Sequence, residues 1–199
     1  MFGDRDYMKR WLSWKLIEIN NFFVDMNICK CSLADKDDSS FYWLLDVIFE
    51  NAEITQFDSF LDIGCGKGRV LSYFVKNGFA CKITGVEKDK QLFELARSWG
   101  EKYKNLSIIN TDIFDLPLDS FNVFYYFNLL NKPDFERFIK KIEKEILHPI
   151  TIYACNDIFF DMLEHRPGWT KHKQYKTRDL KNIISICNIR NSVWGYNPQ

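Results

Sequence analysis

The residues best placed to do chemistry lie in FLDIGCGKGRVLSYF, Phe60 to Phe74. An apolar run ends in a carboxylate, Asp62. Gly64, Gly66 and Gly68 follow at alternate positions, and then a helical pattern begins. Strand, glycine turn and helix in that order hold nucleotide-type ligands at the carboxyl ends of parallel strands. A dinucleotide site wants G-x-G-x-x-G, and here the last position of that pattern falls on Arg69. A P-loop needs Gly-Lys-Ser/Thr after the glycines, and that is missing. A carboxylate at Asp62 would also repel a pyrophosphate seated on the helix N-terminus.

Two later acids stand at equivalent places. Glu87 ends the second apolar run, CKITGVE, where an acid can accept both hydroxyls of a ribose. Asp112, in INTDIFDLP, follows the third run; it can accept an adenine amino group while the Ile113 amide donates to the ring. Singly, each acid reads as a helix cap or a solvated loop residue. Together they describe a pocket for a ligand with an adenosine, no phosphate and positive charge. S-adenosylmethionine, with its sulfonium and ammonium groups, is the cofactor that fits.

These residues need a frame. From Phe57 onward, short apolar runs alternate with helical segments. SFLDIG, CKITGVE, LSIIN, FNVFYYFN and PITIYAC read as strands. GRVLSYFVKNG reads as a helix closed by Gly78, DKQLFELARSWGEKY as one capped by Asp89, and PDFERFIKKIEKEIL as one opened by Pro133. Such alternation predicts a parallel sheet with helices on both faces. A short helical piece, DIFFDMLEH, and two strand-like runs, WTKHKQYKT and NIISICNIR, complete the core. Ahead of it, residues 6–26 place Leu12, Leu16, Ile19, Phe23 and Met26 at helical spacing, and Ser39 and Ser40 can cap a helix carrying Phe41, Leu44, Leu45 and Ile48. The expected organisation is one domain over 1–199, with a helical N-terminal extension at 1–52 and a Rossmann-like core at 53–199.

Composition narrows the class. At 199 residues, 46% of them hydrophobic, the chain can bury a sizeable core. Lys+Arg and Asp+Glu both number 27, so no chain-wide charge footprint for nucleic acid exists. The start, MFGDRDYMKRW, lacks the apolar segment of a signal peptide, and no apolar run approaches the about 18 residues that span a bilayer. The 6 cysteines (29, 31, 65, 81, 155 and 187) form no C-x-x-C pair, and there are only 3 histidines. The expectation is reduced thiols in the cytoplasm and no metal.

At this point the chain resembles the class I, seven-strand S-adenosylmethionine-dependent methyltransferases over roughly residues 40–190. LDIGCGKGR is similar to their first motif, GVEKD to the second and NTDIFDLP to the third. The resemblance implies a sheet in the order 3-2-1-4-5-7-6 with the seventh strand antiparallel. It implies a cofactor site at Asp62, Gly64, Cys65, Gly66, Gly68, Glu87, Lys88, Asp112, Ile113 and Asn128. Asn128, after strand four, is also the candidate to orient the nucleophile, although the Pro-Pro-aromatic that follows it in base N-methylating enzymes is replaced by Leu129 and Leu130. Phe127 reads as core or as a wall of the site.

The acceptor side is less defined. His148 precedes strand five, away from the cofactor, and reads as structural. His165 and His172 follow it on the expected substrate side, with Asn156 and Asp157 at the strand tip. The aromatics Trp11, Trp14, Phe22, Phe23, Tyr42 and Trp43 read as core or as a cover over the site. Lys171, Lys173, Lys176, Arg178 and Lys181 make the C-terminal hairpin locally basic, which keeps an acidic substrate or RNA open. The expected activity is methyl transfer to an O or N of a small-molecule or glycan-type acceptor. The alternatives are a protein lysine-type N-methyltransferase and a cofactor-binding protein without catalysis.

Overall fold

The computed structural model describes residues 40, 42–49, 52–127, 129–156, 158–175 and 191–198. Helix α1 (Tyr42–Phe49) leads into β1 (Ser59–Ile63), α2 (Arg69–Lys76), β2 (Lys82–Glu87), α3 (Lys90–Gly100), β3 (Leu106–Asn110) and β4 (Val123–Phe127). Then follow α4 (Lys132–Glu145), β5 (Ile150–Cys155), a 3-10 turn at Phe160–Leu163, β6 (Trp169–Tyr175) and β7 (Asn191–Tyr196). The strands form one sheet in the order β3-β2-β1-β4-β5-β7-β6. β7 is antiparallel to β5 and to β6, and the other pairings are parallel. This is the expected order and sense.

The helix ends follow the predicted chemistry. Asp89 caps α3 by accepting from the Gln91 and Leu92 amides, both at 2.9 Å. Asn131 caps α4, with Pro133 in the first turn. Gly78 follows α2 with φ +71, the left-handed turn that ends a helix.

Two apolar layers flank the sheet. On one face α1 and α2 press Phe49 and Phe74 onto Phe60; the Phe60 and Phe74 rings stack at 3.9 Å. On the other face α4 sets Phe135 and Phe138 against Tyr126, with Phe160 and Trp194 beside them. Each such fully buried side chain contributes about 1.5–3 kcal/mol. The chain winds outward from β1 to β3 and then crosses back to β4. The C-terminal ends of β1 and β4 therefore border a topological switch point, where open α/β sheets bind ligands.

Some expectations shift. The short helical piece after β5 is a 3-10 turn at Phe160–Leu163. The last strand is NSVWGY, C-terminal to the predicted run NIISICNIR, which lies outside the described residues. Val193, on one face, and Trp194, on the other, are both buried. His172 does not reach the substrate side. It sits at a bulge in β6 and its ring lies over Gly195, which pairs with Thr151 near the start of β5. His148 also lies at that end, its Nε2 at 2.9 Å from the Asp119 carbonyl. The helix predicted at 6–26, its aromatics and Phe41 lie outside the described residues, as do Asp157, Lys176, Arg178 and Lys181.

Arg166 grips Glu143 of α4 through Nε and Nη2, and the Trp169 indole donates to the same carboxylate at 2.9 Å. Burial alone would raise the Glu143 pKa, but these bonds outweigh it and hold the group below its ordinary value. The cluster ties α4 to the start of β6. Glu143→Gln should lower stability by about 1–3 kcal/mol in urea denaturation; an unchanged midpoint would show that the bridge contributes nothing.

Candidate functional site

The glycine loop leaves β1 at Gly64 and re-enters helix at Arg69. It is pinned to β2: the Gly64 and Cys65 amides both donate to the Val86 carbonyl, at 2.9 and 3.0 Å. The amide of Gly66 donates to Glu87 Oε2 at 2.9 Å, and Glu87 Oε1 accepts the Asp89 amide at 2.8 Å. The acid at the tip of β2 is thus built into the loop.

The three glycines have φ of +72, +54 and +90, a region that side chains disfavour. Their surroundings differ. A Cβ on Gly64 would come within 2.7 Å of Leu129, and one on Gly68 within 2.5 Å of the Trp99 ring. A Cβ on Gly66 would meet nothing within 4 Å. Gly66 therefore opens on free space bordered by Glu87, while Gly68 serves packing under Trp99.

Asp62 is 3% exposed, and its Oδ2 has no hydrogen-bond partner among the described residues. Burial, then the charge of Glu87, pushes its pKa up to about 8. Cys65 is buried against Gly85, where a Cβ would meet its Sγ at 2.7 Å. Burial and the neighbouring acids push its thiol well up, so its side chain is packing and not a nucleophile. Asp112, past the tip of β3, accepts the Phe114 amide at 3.1 Å, and Ile113 is buried in the second core. Lys88 is exposed beside Glu87. Phe127 packs against the first core. Asn128 lies outside the described residues.

Asp62, the glycine loop and Glu87 thus come together at the ends of β1 and β2, with Asp112 past the neighbouring tip of β3. Three contributors escaped the sequence reading. The Trp99 indole donates to the Lys67 carbonyl at 3.0 Å and clamps the loop from α3. Asn110 binds the Glu87 and Lys88 carbonyls at 2.8 and 3.2 Å, tying β3 to the end of β2. Tyr126 accepts the Leu130 amide at 3.3 Å and shapes the turn that carries Leu129 over Gly64. Only Trp99 left a signal, as a large aromatic in the last turn of an amphipathic helix.

A hollow of about 440 Å³ lies elsewhere, at the opposite ends of β4 and β5, and includes Asp58, Asn122 and His172. Its Asp58 carboxylate is already taken by Thr55 and Asn122, at 2.6 Å to the Thr55 amide and 2.6 Å to the Asn122 amide group. That arrangement fastens a turn, whereas Asp62, buried beneath the glycine loop, keeps an acceptor unspent.

Residues 60–149 match a family described as "Methyltransferase domain". Among curated proteins, the chain is 27% identical over 145 residues to a pavine N-methyltransferase of Thalictrum flavum subsp. glaucum, covering 68% of this chain and 41% of that protein. It is 35% identical over 75 residues to ribosomal RNA small subunit methyltransferase A of Caldanaerobacter subterraneus subsp. tengcongensis, covering 38% of this chain and 27% of that one. The chain thus spans less than half the length of these relatives. Among solved structures, an RNA methyltransferase from Salinibacter ruber in complex with S-adenosyl-L-homocysteine superposes with a TM-score of 0.62 at 15% identity, over 81% of this chain and 95% of that one.

The two glycines separate by experiment. Gly66→Ala and Gly68→Ala share the strain of a left-handed residue, about 1–2 kcal/mol. Gly68→Ala alone drives a methyl into Trp99 and should lose clearly more thermal stability; equal losses would contradict the division of roles.

Proposed function

We infer that this chain, a class I methyltransferase by its domain and its fold, binds S-adenosylmethionine at the glycine loop and transfers its methyl group to an acceptor held beyond β4. The observation that carries the reading is the open face of Gly66 between two carboxyls, Asp62 and Glu87. A pyrophosphate would meet two acids there, whereas a cationic, phosphate-free ligand finds an unspent acceptor.

In this reading Glu87, fixed by two amides, keeps outward lone pairs for the ribose hydroxyls, and Asp112 and the Ile113 backbone receive the adenine. Gly64 and Gly66 let the backbone close on the ligand, with Lys88 at the rim. The sulfonium supplies an activated methyl, so the protein's task is alignment and exclusion of water. Leu129, packed over Gly64, closes the pocket from above, and Asn128 beside it orients the nucleophile.

Leu129, Ile158 and Met162 are exposed apolar side chains beyond the ends of the neighbouring strands β4 and β5. They favour a small acceptor with an apolar body, methylated on N or O, as the name of the pavine N-methyltransferase relative also suggests. An RNA acceptor is the second reading, favoured by the likeness to ribosomal RNA methyltransferases. The buried thiols of Cys65 and Cys81 suit work in the reducing cytoplasm.

Calorimetry on the purified chain should show S-adenosylhomocysteine binding and no comparable affinity for NAD. Tight NAD binding without S-adenosylhomocysteine binding would overturn the reading. Labelled methyl from S-adenosylmethionine should appear in the small-molecule fraction of a lysate; label in RNA would select the second acceptor.

A further inference from the structure

Two carboxyls face the glycine loop, and they are not equivalent. Glu87 accepts backbone N–H groups at both oxygens, from Gly66 and Asp89, at 2.9 and 2.8 Å. Asp62 is sunk beneath the loop at 3% exposure, with no donor on Oδ2 among the described residues. Hydrogen bonds to a charged carboxylate favour the charge, and burial without them disfavours it. Two acids so close do not both ionise readily unless a cation joins them. Asp62, buried and without a donor on Oδ2, is the one whose charge its surroundings disfavour.

We propose that Asp62 carries a proton in the ligand-free protein and loses it when the positively charged end of the cofactor arrives, so that capture of the cofactor releases one proton. The inference rests on the cofactor assignment made above. In the step, the Asp62 O–H bond breaks, the proton passes to a buffer base, and the carboxylate left behind pairs with the incoming cation. The neutral acid at neutral pH agrees with its pKa of about 8. The other ionisable groups against Asp62 do not compete. Burial holds Cys65, in the loop, and Tyr125, on β4, neutral well above their ordinary ranges. Arg69, at the start of α2, is directed at the Ser40 carbonyl, at 3.4 Å, and the Tyr42 ring, at 5.7 Å.

The coupling makes binding a competition between a proton and a cation for one carboxylate. Affinity therefore rises with pH below the Asp62 pKa and levels off above it. Both the sulfonium and the ammonium could be the cation. S-adenosylhomocysteine keeps the ammonium and lacks the sulfonium, so comparing it with S-adenosylmethionine tells them apart.

The test is isothermal titration of the full chain with each ligand at pH 7, in buffers of different ionisation heat. S-adenosylmethionine should release a proton, about a half or more per site, and its affinity should rise several-fold from pH 6 to pH 7. Release with both ligands assigns the ammonium, and release with S-adenosylmethionine alone assigns the sulfonium; either supports the proposal. Asp62→Asn, of the same shape, should bind with no proton release and a flat pH profile. Binding by the wild-type chain without proton release would overturn the proposal and leave the cofactor assignment standing. Failure to bind either ligand would overturn both.

Discussion

The structure turns on placing two acids at one turn of backbone. Asp62 lies one residue before the end of β1 and Glu87 ends β2, adjacent parallel strands whose register pairs Asp62 with Gly85 and Ile63 with Val86. Like charges repel, and a buried carboxyl without donors is costly. The fold gives Glu87 two amide donors, while burial and the Glu87 charge push the Asp62 pKa up to about 8. A site with an unspent acceptor and an open glycine face is prepared for a cation.

The neighbouring packing keeps that arrangement in place. Gly85 has no side chain, so Cys65 and Leu71 can lie against β2 and α2 can sit low on the sheet. Trp99 fills the space above Gly68 and holds Lys67 by its carbonyl, linking α3 to the loop. Asn110 joins the tips of β2 and β3. On the far side Tyr126 fastens the turn after β4, and Leu129 covers Gly64. The loop is thus held by β2, α3 and the β4 turn together, which fits a site that must be aligned in advance of its ligand.

The strands themselves and the acids near their ends were legible because each leaves a local trace, whereas the strand order was implied by the family resemblance. Apolar runs of strand length alternate with helical spacing, and Asp62, Glu87 and Asp112 each close such a run. Cap chemistry was legible for the same reason: Asp89 acts on amides within three residues of itself. What was not legible depends on contacts distant in the chain. The division of labour among Gly64, Gly66 and Gly68 is set by Leu129 and Trp99, which no spacing rule connects to them. His172 was expected beside the substrate, but its bulge in β6 turns the ring over Gly195 at the other end of the sheet. The closing strand NSVWGY mixes polar residues, apolar residues and a glycine, so its period is faint until β5 and β6 pair with it.

The central claim is that the ligand sits on the open face of Gly66 between Asp62 and Glu87. A crystal structure of the chain grown with S-adenosylhomocysteine tests it most directly. The account predicts density for the ribose against Glu87 and for the amino acid end near Asp62, with backbone contact at Gly66. Density in the hollow beside Asp58 and His172, with the glycine loop bare, would contradict it.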